Sequence, residues 1–552
     1  MKNNFILAKL KFSGNAGLAI GFAILFALSF PPFPLGFLAA VAFVPLLILM
    51  DRPMSRGARF RTLYGAFFLA SLFTLYWVGN FTSAKDPFLM MAGVLLLIWQ
   101  PFFFLLPMGV YASVKHRLGR TAALIAFPCI WVTFEWLYAL GEFSFPWLTI
   151  GNTQTYQLGK IQFIEITGVY GLSLWLIVLN VLSVFLIDAW KRGHSLASPK
   201  STLLGGTIFV LYLAPSLFPS FPDHAVSATN DSHPIRIGIL QPNLDPWEKW
   251  EGGKTDAGKN LQMDRYIGLM RELKKDSVSI AVLPETALLF NLPTHPEQLA
   301  RLRGEVNRLD MGLVSGFPDL KYYRTGEAPA SSGSIKGTDI RYDAFNAILY
   351  LQPGSDAVQI YDKMRLVPFA ERIPYAGSVP FLIEPLRWNV GISNWGLGKD
   401  STVFVDEQLK TKFLAMICYE SIFPEFVASF VNRGAEFLVF ITNDSWWGNT
   451  SGARQHNQYA VLRAVENRRW VVRCANGGIS SIIDPRGRMV KRTDMYTEAA
   501  LVGTIQPRVE KTFYSTHGDL VARVLAAITA VMLLASIGQG MYCRMKTKNV
   551  KG

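Results

Sequence analysis

Met416-Ile417-Cys418-Tyr419-Glu420 closes the apolar run Phe413–Ile417 on a nucleophilic side chain. A short apolar run with polar flanks reads as a buried strand, and a reactive residue at its end stands where a sheet opens into a cleft. Two other stretches repeat the pattern. Leu283-Pro284-Glu285-Thr286-Ala287 ends the run Ile280–Leu283 on a carboxylate, and Tyr361-Asp362-Lys363 sets a lysine ahead of Leu366-Val367-Pro368-Phe369-Ala370-Glu371. Each has an ordinary explanation when taken alone. A strand-end carboxylate is commonly a helix cap or an ion-pair partner, and a lone cysteine is commonly a buried small residue.

Around these residues, 219–520 alternates strand-like and helix-like segments. Ile235–Leu240, Ile280–Leu283, Gly312–Phe317, Ala344–Leu351, Phe413–Ile417, Phe437–Thr442 and Trp470–Cys474 read as strands. Helical patterns fall near 256–275, 296–309, 421–433 and 452–468. Such alternation suits an α/β sandwich. Residues 321–343, rich in Gly, Ser, Lys and Pro, predict a hairpin loop. By contrast 373–398 carries Phe381, Leu382, Ile383, Leu386, Trp388 and Trp395, a greasy composition for a loop.

The rest of the chain is built for lipid. Of 552 residues, 51% are hydrophobic and 17% charged, a balance that predicts membrane segments. Apolar runs fall at 15–30, 35–50, 62–82, 88–113, 121–140, 167–188, 202–218 and 521–541. These predict about eight spans, the first two short and joined by Pro31-Pro32-Phe33-Pro34. Ala27-Leu28-Ser29 resembles a signal-peptide cleavage site, but the apolar run that follows at once favours a retained hairpin. Basic residues gather in alternate gaps: Arg52, Arg56, Arg59 and Arg61; Lys115, Arg117 and Arg120; Lys191, Arg192 and Lys200. That is the positive-inside pattern. It accounts for the net charge of +14 without a nucleic acid partner. With the amino terminus in the cytoplasm, an odd number of spans delivers residue 219 to the outer face. The predicted organisation is a transmembrane bundle over 1–218, a soluble domain over 219–520, and a final span with a cytoplasmic tail over 521–552.

Cys129, Cys418, Cys474 and Cys543 show no CxxC and no metal-ligand spacing, so neither a disulfide framework nor a metal or other cofactor is expected. Cys474, inside an apolar strand, reads as packing.

Glu285, Lys363 and Cys418, in that order in one domain, resemble the nitrilase superfamily of carbon–nitrogen hydrolases, whose members carry a Glu-Lys-Cys triad on an α-β-β-α sandwich. Further stretches extend the resemblance: Gln241-Pro242-Asn243 with Trp247 and Trp250, Tyr342 to Asn346, Asn443-Asp444-Ser445-Trp446-Trp447-Gly448, Gln455-His456, Arg463-Ala464 with Glu466-Asn467-Arg468, and Asn476-Gly477-Gly478. Phe30-Pro31-Pro32, Glu135-Trp136-Leu137 and Phe145-Pro146-Trp147 are similar to the membrane branch, the apolipoprotein N-acyltransferases. There are two departures. Trp447 stands where the family more often has Phe, and Tyr138 stands where an Arg often follows Glu-Trp-Leu, which bears on a contact to the lipid headgroup.

The resemblance implies an acyltransferase of the Gram-negative inner membrane with its catalytic domain in the periplasm. Its acyl donor would be a phospholipid and its acceptor a diacylglyceryl apolipoprotein; it would work among membrane lipids as a monomer. Cys418 is the implied nucleophile and Glu285 the general base. Lys363 stabilises the oxyanion, with the Tyr419 N–H as a second donor. Glu371 orients Lys363 or Glu285, and Glu420 supports the site or forms a structural ion pair. Trp250, Trp446 and Trp447 are candidates for the acyl pocket, and Phe381 and Trp388 for a lid dipping into the leaflet. His456 is expected to be a hydrogen-bonded structural histidine. Two rival readings share this sequence: a membrane-anchored amidase whose thioester is resolved by water, and a non-enzymatic lipid-binding protein.

Overall fold

A helix needs about 20 apolar residues to cross the roughly 30 Å hydrocarbon layer, and this length sorts the amino-terminal runs. The computed structural model describes residues 14–80, 86–192, 195, 197–218, 233–324, 326–329, 332–335, 337–375 and 395–549, and gives only the backbone of Phe88 and residues 543–549. Six described helices are long and apolar enough to span: Arg56–Gly79, Leu89–Leu118, Arg120–Tyr138, Val169–Lys191, Pro199–Leu217 and Leu520–Tyr542. The first two runs instead form shorter apolar helices, Asn15–Ser29 and Gly36–Leu49. At 1.5 Å per residue the first is only about 22 Å long. Eight expected spans therefore become six plus a short pair. The two short helices pack together. Phe22 packs edge-on against Phe43 and Phe67, each at 5.3 Å. Asn180 locks the pair to Val169–Lys191 by accepting from Phe43 N (2.7 Å) and donating to Ala39 O (2.8 Å).

One end of the bundle is charged. Asp51 accepts from Lys115 (2.6 Å) and Arg120 (2.5 Å), and Arg120 also pairs with Asp188. The opposite end, formed by loops around Trp77, Ser144 and Trp147, meets the second unit.

That unit is an α-β-β-α sandwich. Its first sheet contains β1 (Ile235–Gln241), β2 (Ile280–Val282), β3 (Gly312–Tyr323), β4 (Gly333–Ser334), β5 (Arg341–Leu351) and β6 (Val358–Asp362). The second contains β7 (Phe404–Asp406), β8 (Thr411–Ile417), β9 (Phe437–Thr442), β10 (Val471–Ala475), β11 (Ser481–Ile483) and β12 (Met489–Arg492). Strand β13 (Ala499–Ile505) then returns to the first sheet beside β1. The orders are β13-β1-β2-β3-β5-β4, with β6 on β5, and β12-β11-β10-β9-β8-β7. Each sheet has a parallel centre, β1-β2-β3 or β8-β9-β10, with antiparallel strands on either side.

Period-two alternation assigns the side chains to layers. Ile237, Ile239, Val314, Ile348 and Tyr350 face the second sheet, whereas Leu240, Leu313, Phe317, Leu349 and Leu351 face helices Asp256–Lys274 and Pro296–Leu309. Helices Pro424–Asn432 and Ser451–Asn467 cover the other sheet through Val427, Val431, Leu462 and Val465. All the expected strands and helices form. The 321–343 stretch is a hairpin, with β3 and β5 paired as far as Tyr323↔Arg341. Cys474 is fully buried, its sulfur 3.4 Å from Leu240 O and Val282 O.

The sandwich is keyed to the bundle by polar side chains. Gln455 accepts from Trp77 Nε1 (3.1 Å) and Trp147 Nε1 (2.8 Å) and donates to Pro31 O (2.9 Å) and Thr74 O (3.2 Å). Nearby, Glu466 accepts from Val169 N (2.9 Å), Arg468 pairs with Glu165 (2.5 Å), and Arg523 of the last span pairs with Glu425.

Candidate active site

Parallel strands open at their carboxyl ends, and the residues singled out in the sequence converge there. Glu285 follows β2, Lys363 follows β6 and Cys418 follows β8. Glu285 Oε1 accepts from Asn346 Nδ2 of β5 (2.7 Å), and Oε2 accepts from Asn443 N (2.9 Å) just beyond β9. Lys363 is completely buried; its Nζ lies 2.6 Å from Glu371 Oε1 and 3.8 Å from Glu285 Oε1. Glu371 is held by Val367 N (2.7 Å) on its other oxygen. Lys363 is thus shared between two carboxylates.

Burial is the main force on these groups. It pushes the Glu285 carboxyl above its ordinary range; Lys363 opposes the rise and Glu371 adds to it. Burial also disfavours the Lys363 ammonium, but Glu371 and Glu285 outweigh it and raise its pKa, so it stays charged. The Cys418 thiol is driven strongly upward by burial and by Glu285, against the pull of Lys363. At rest the cysteine is protonated beside a carboxylate whose proton affinity is already raised.

Cys418 itself sits at φ +50°, a left-handed conformation that costs a non-glycine residue free energy and clusters at functional turns. Glu420 holds that turn. One oxygen accepts from Ile417 N (2.9 Å), and the other from Tyr361 OH (2.6 Å), Met364 N (2.7 Å) and Arg365 N (3.1 Å). It ties the cysteine turn to the lysine loop through hydrogen bonds. Tyr419 is the second residue of the short turn Cys418–Ile422, where the first N–H groups precede any acceptor within the turn. Its hydroxyl reaches across to Ser144 O (2.8 Å) of the bundle, and its ring stacks on Phe145 at 6.1 Å.

Behind the cysteine lies a second buried cluster. His456 Nε2 is 3.1 Å from Cys418 O and 3.0 Å from Ser421 Oγ; its Nδ1 is 2.9 Å from Asp444 Oδ1. Asp444 also accepts from Arg473 (2.7 Å) and Thr442 (2.9 Å). Despite complete burial Asp444 is pulled down to about 2, because Arg473 and His456 both face it.

Two family models match the chain: the apolipoprotein N-acyltransferase N-terminal domain over residues 22–182 and the carbon-nitrogen hydrolase domain over 236–514. A protein named apolipoprotein N-acyltransferase from Chlorobaculum tepidum is 35% identical over 527 residues, covering 93% of this chain and 95% of its own. The chain belongs to the apolipoprotein N-acyltransferase family. Another bearer of that name, from Geobacter metallireducens, is 31% identical and covers 93% of this chain and 94% of its own. Among solved structures, an amidase from Nesterenkonia sp. superposes with a TM-score of 0.36 at 15% identity, over 54% of this chain and 98% of its own.

Within this family frame, the remaining candidates spread out. Trp446 packs edge-on against Trp247 at 5.2 Å, and Trp250 lies beside Lys249. Trp447 sits at the seam, 4.6 Å from Trp77, 5.8 Å from Trp147 and 5.8 Å from His456. Phe381 and Trp388 lie outside the described residues. Tyr138, the family departure, turns inward: its hydroxyl donates to Gln100 (2.6 Å) and its ring stacks on Phe134 at 5.6 Å. Asn346 and Asn443 contact the Glu285 carboxylate but carry no reactive chemistry, so their contribution is read from position rather than residue type. Lys249 escaped the sequence reading altogether, because a lysine in Pro246–Gly252 looks solvated until its burial is seen.

Proposed function

We propose that this enzyme transfers a fatty acyl group from a phospholipid to the N-terminal amine of a diacylglyceryl-cysteine apolipoprotein through a thioester on Cys418. The observation that carries this reading is the seat of Cys418. It is buried within electrostatic reach of Glu285 and Lys363, while the next residue, Tyr419, is hydrogen-bonded to Ser144 O of the bundle. A nucleophile set at the seam with a membrane unit suits a substrate that leaves the bilayer reluctantly; each CH2 brought out of lipid costs about 0.8 kcal/mol.

In the first half-reaction, the Cys418 thiol gives its proton to Glu285 as sulfur attacks the ester carbonyl carbon. Lys363 Nζ and the Tyr419 N–H stabilise the oxyanion. The carbon–oxygen bond breaks, the leaving alkoxide takes the proton from Glu285, and a lysophospholipid departs. In the second half, the neutral amine of the acceptor cysteine attacks the thioester and gives a proton to Glu285. The carbon–sulfur bond breaks, the sulfur recovers the proton, and an amide results. Amide is more stable than thioester, so transfer needs no cofactor. Glu371 orients Lys363, and Glu420 fixes the spacing of the lysine and cysteine turns. Trp250, Trp446 and Trp447 contribute to the acyl pocket; Phe381 and Trp388 belong to a lid.

The reading divides the chain at 218 and 520 into bundle, catalytic domain and final span. It sets the domain in the periplasm of a Gram-negative cell, with the chain in the inner membrane as a monomer. The ion pairs joining Lys115 and Arg120 to Asp51 and Asp188 support that orientation, since they cluster the basic gaps at the end away from the sandwich.

Incubating the full-length protein with a dipalmitoyl phospholipid should add one palmitoyl mass to Cys418, discharged by a diacylglyceryl peptide. Discharge by water at the same rate would establish an amidase-like hydrolase. Full cellular function of Cys418→Ala would establish a non-enzymatic role.

A further inference from the structure

Lys249 is a second buried lysine beside the base. It projects from helix Pro246–Gly252, whose first turn is capped by Asp245 accepting from Trp247 N (2.9 Å) and Glu248 N (3.2 Å). The residue is only 5% exposed. Its Nζ contacts a single turn: Thr286 Oγ1 at 2.7 Å, Thr286 O at 3.3 Å and Glu285 O at 3.5 Å.

The turn it grips is strained. Thr286 is β-branched yet lies at φ +48°, a genuine outlier for such a residue. The strand beneath leaves no slack, since a Cβ on Gly316 would come within 2.4 Å of Thr286 N and 2.8 Å of Glu285 Cα. A buried ammonium is costly to keep, and the hydrogen bonds and backbone carbonyls of this turn offset part of that cost. Burial pushes Lys249 down to about 8, while Glu285 works to hold its charge. The influence is mutual, because Lys249 also favours the ionised form of Glu285.

We infer that Lys249 is a positioning residue for the acyl-transfer reaction: its ammonium pins the Glu285–Thr286 turn and sets a positive charge beneath the general base. Among the described residues, the charged groups acting on Glu285 are Lys363, Glu371 and Lys249, and Cys418 is a further titratable neighbour. Lys363 is divided between Glu285 and Glu371, whereas Glu285 is the one carboxylate among the described residues that acts on Lys249. Lys249 therefore tunes the base without touching the substrate.

The inference rests on Glu285 as base, and the test separates the two. The rate of Cys418 acylation by a dipalmitoyl phospholipid is followed against pH in the full-length protein. Lys249→Gln keeps a donor for Thr286 and loses the charge. It should move the acid limb upward by about one pH unit and recover most of its rate on the alkaline side. Lys249→Arg keeps the charge and should keep the wild-type limb. A Gln variant with an unmoved limb, or a loss of rate equal at every pH, overturns the inference by leaving Lys249 a packing role. So does an Arg variant whose limb moves, and this arm alone decides the matter should the Gln variant not fold. Wild-type acylation by Glu285→Gln would instead overturn the assignment of the base, whatever Lys249 does.

Discussion

Two charged clusters flank Cys418 in the same sandwich, equally buried and opposite in character. On one side Glu285 and Glu371 compete for Lys363, and the Glu285 carboxyl is left with a raised proton affinity. On the other, Asp444 receives Arg473, His456 and the Thr442 hydroxyl with no rival carboxylate among the described residues, and is held near 2. Burial alone does not make a base. The ratio of carboxylates to cations decides whether a buried acid is poised to take a proton or locked as a permanent anion. The first cluster suits chemistry, and the second gives the cysteine turn a rigid back wall.

The strongest way to test this contrast is to remove one charged group from each cluster. Glu285→Gln should slow thioester formation by about 10³- to 10⁴-fold with little change in melting temperature. Quenched mass spectrometry reads the first quantity and a thermal scan the second. Arg473→Leu should do the reverse, destabilising the fold by about 3–5 kcal/mol because Asp444 loses its main counter-charge. If instead it left stability intact while abolishing acylation, the back wall would have to be counted among the reactive groups.

A smaller effect is expected at the seam. Gln455→Leu strands the indole N–H of Trp147, at a cost of about 1–3 kcal/mol if unsatisfied, whereas Trp77 Nε1 keeps Thr74 O at 2.9 Å. It should lower the thermal stability of the whole protein in detergent; an unchanged transition would mean that sandwich and bundle hold together without this contact.

The smallest effects are pH shifts of opposite sign. Glu285, raised in the folded state, must be ionised to act, so the acid limb of acylation should lie above the ordinary carboxylate value. A limb at or below that value would argue for another base. Asp444, depressed from 3.8 to about 2, contributes stability that is present above 3.8 and lost as pH falls toward 2. Asp444→Asn should remove that dependence from the acid unfolding curve.

Where the sequence reading differed from the structure, the cause was length or company. The pattern 15–30 and 35–50 has the hydropathy of spans, but the helix it yields over Asn15–Ser29 is shorter than a bilayer and packs against Phe67 instead. Glu420 could be read as an ion-pair partner because carboxylates often are. It proves to be a hydrogen-bond hub because four donors from two loops meet its oxygens. Trp447, legible as an aromatic in a motif, could not reveal which surface it would face.

The sequence by itself determined which residues are candidates for reactive chemistry and where the apolar segments lie. Strand-end Glu285, Lys363 and Cys418 follow from local pattern and motif, and the spans follow from runs of apolar residues, all of them short-range properties. Only the tertiary structure decided how charge is shared: that Lys363 divides itself between two carboxylates, that Asp444 faces the Arg473 guanidinium, and that Lys249 is buried against the Glu285–Thr286 turn. Proton affinity depends on the dielectric and the charges within a few ångströms, and those neighbours come from strands and loops far apart in the chain.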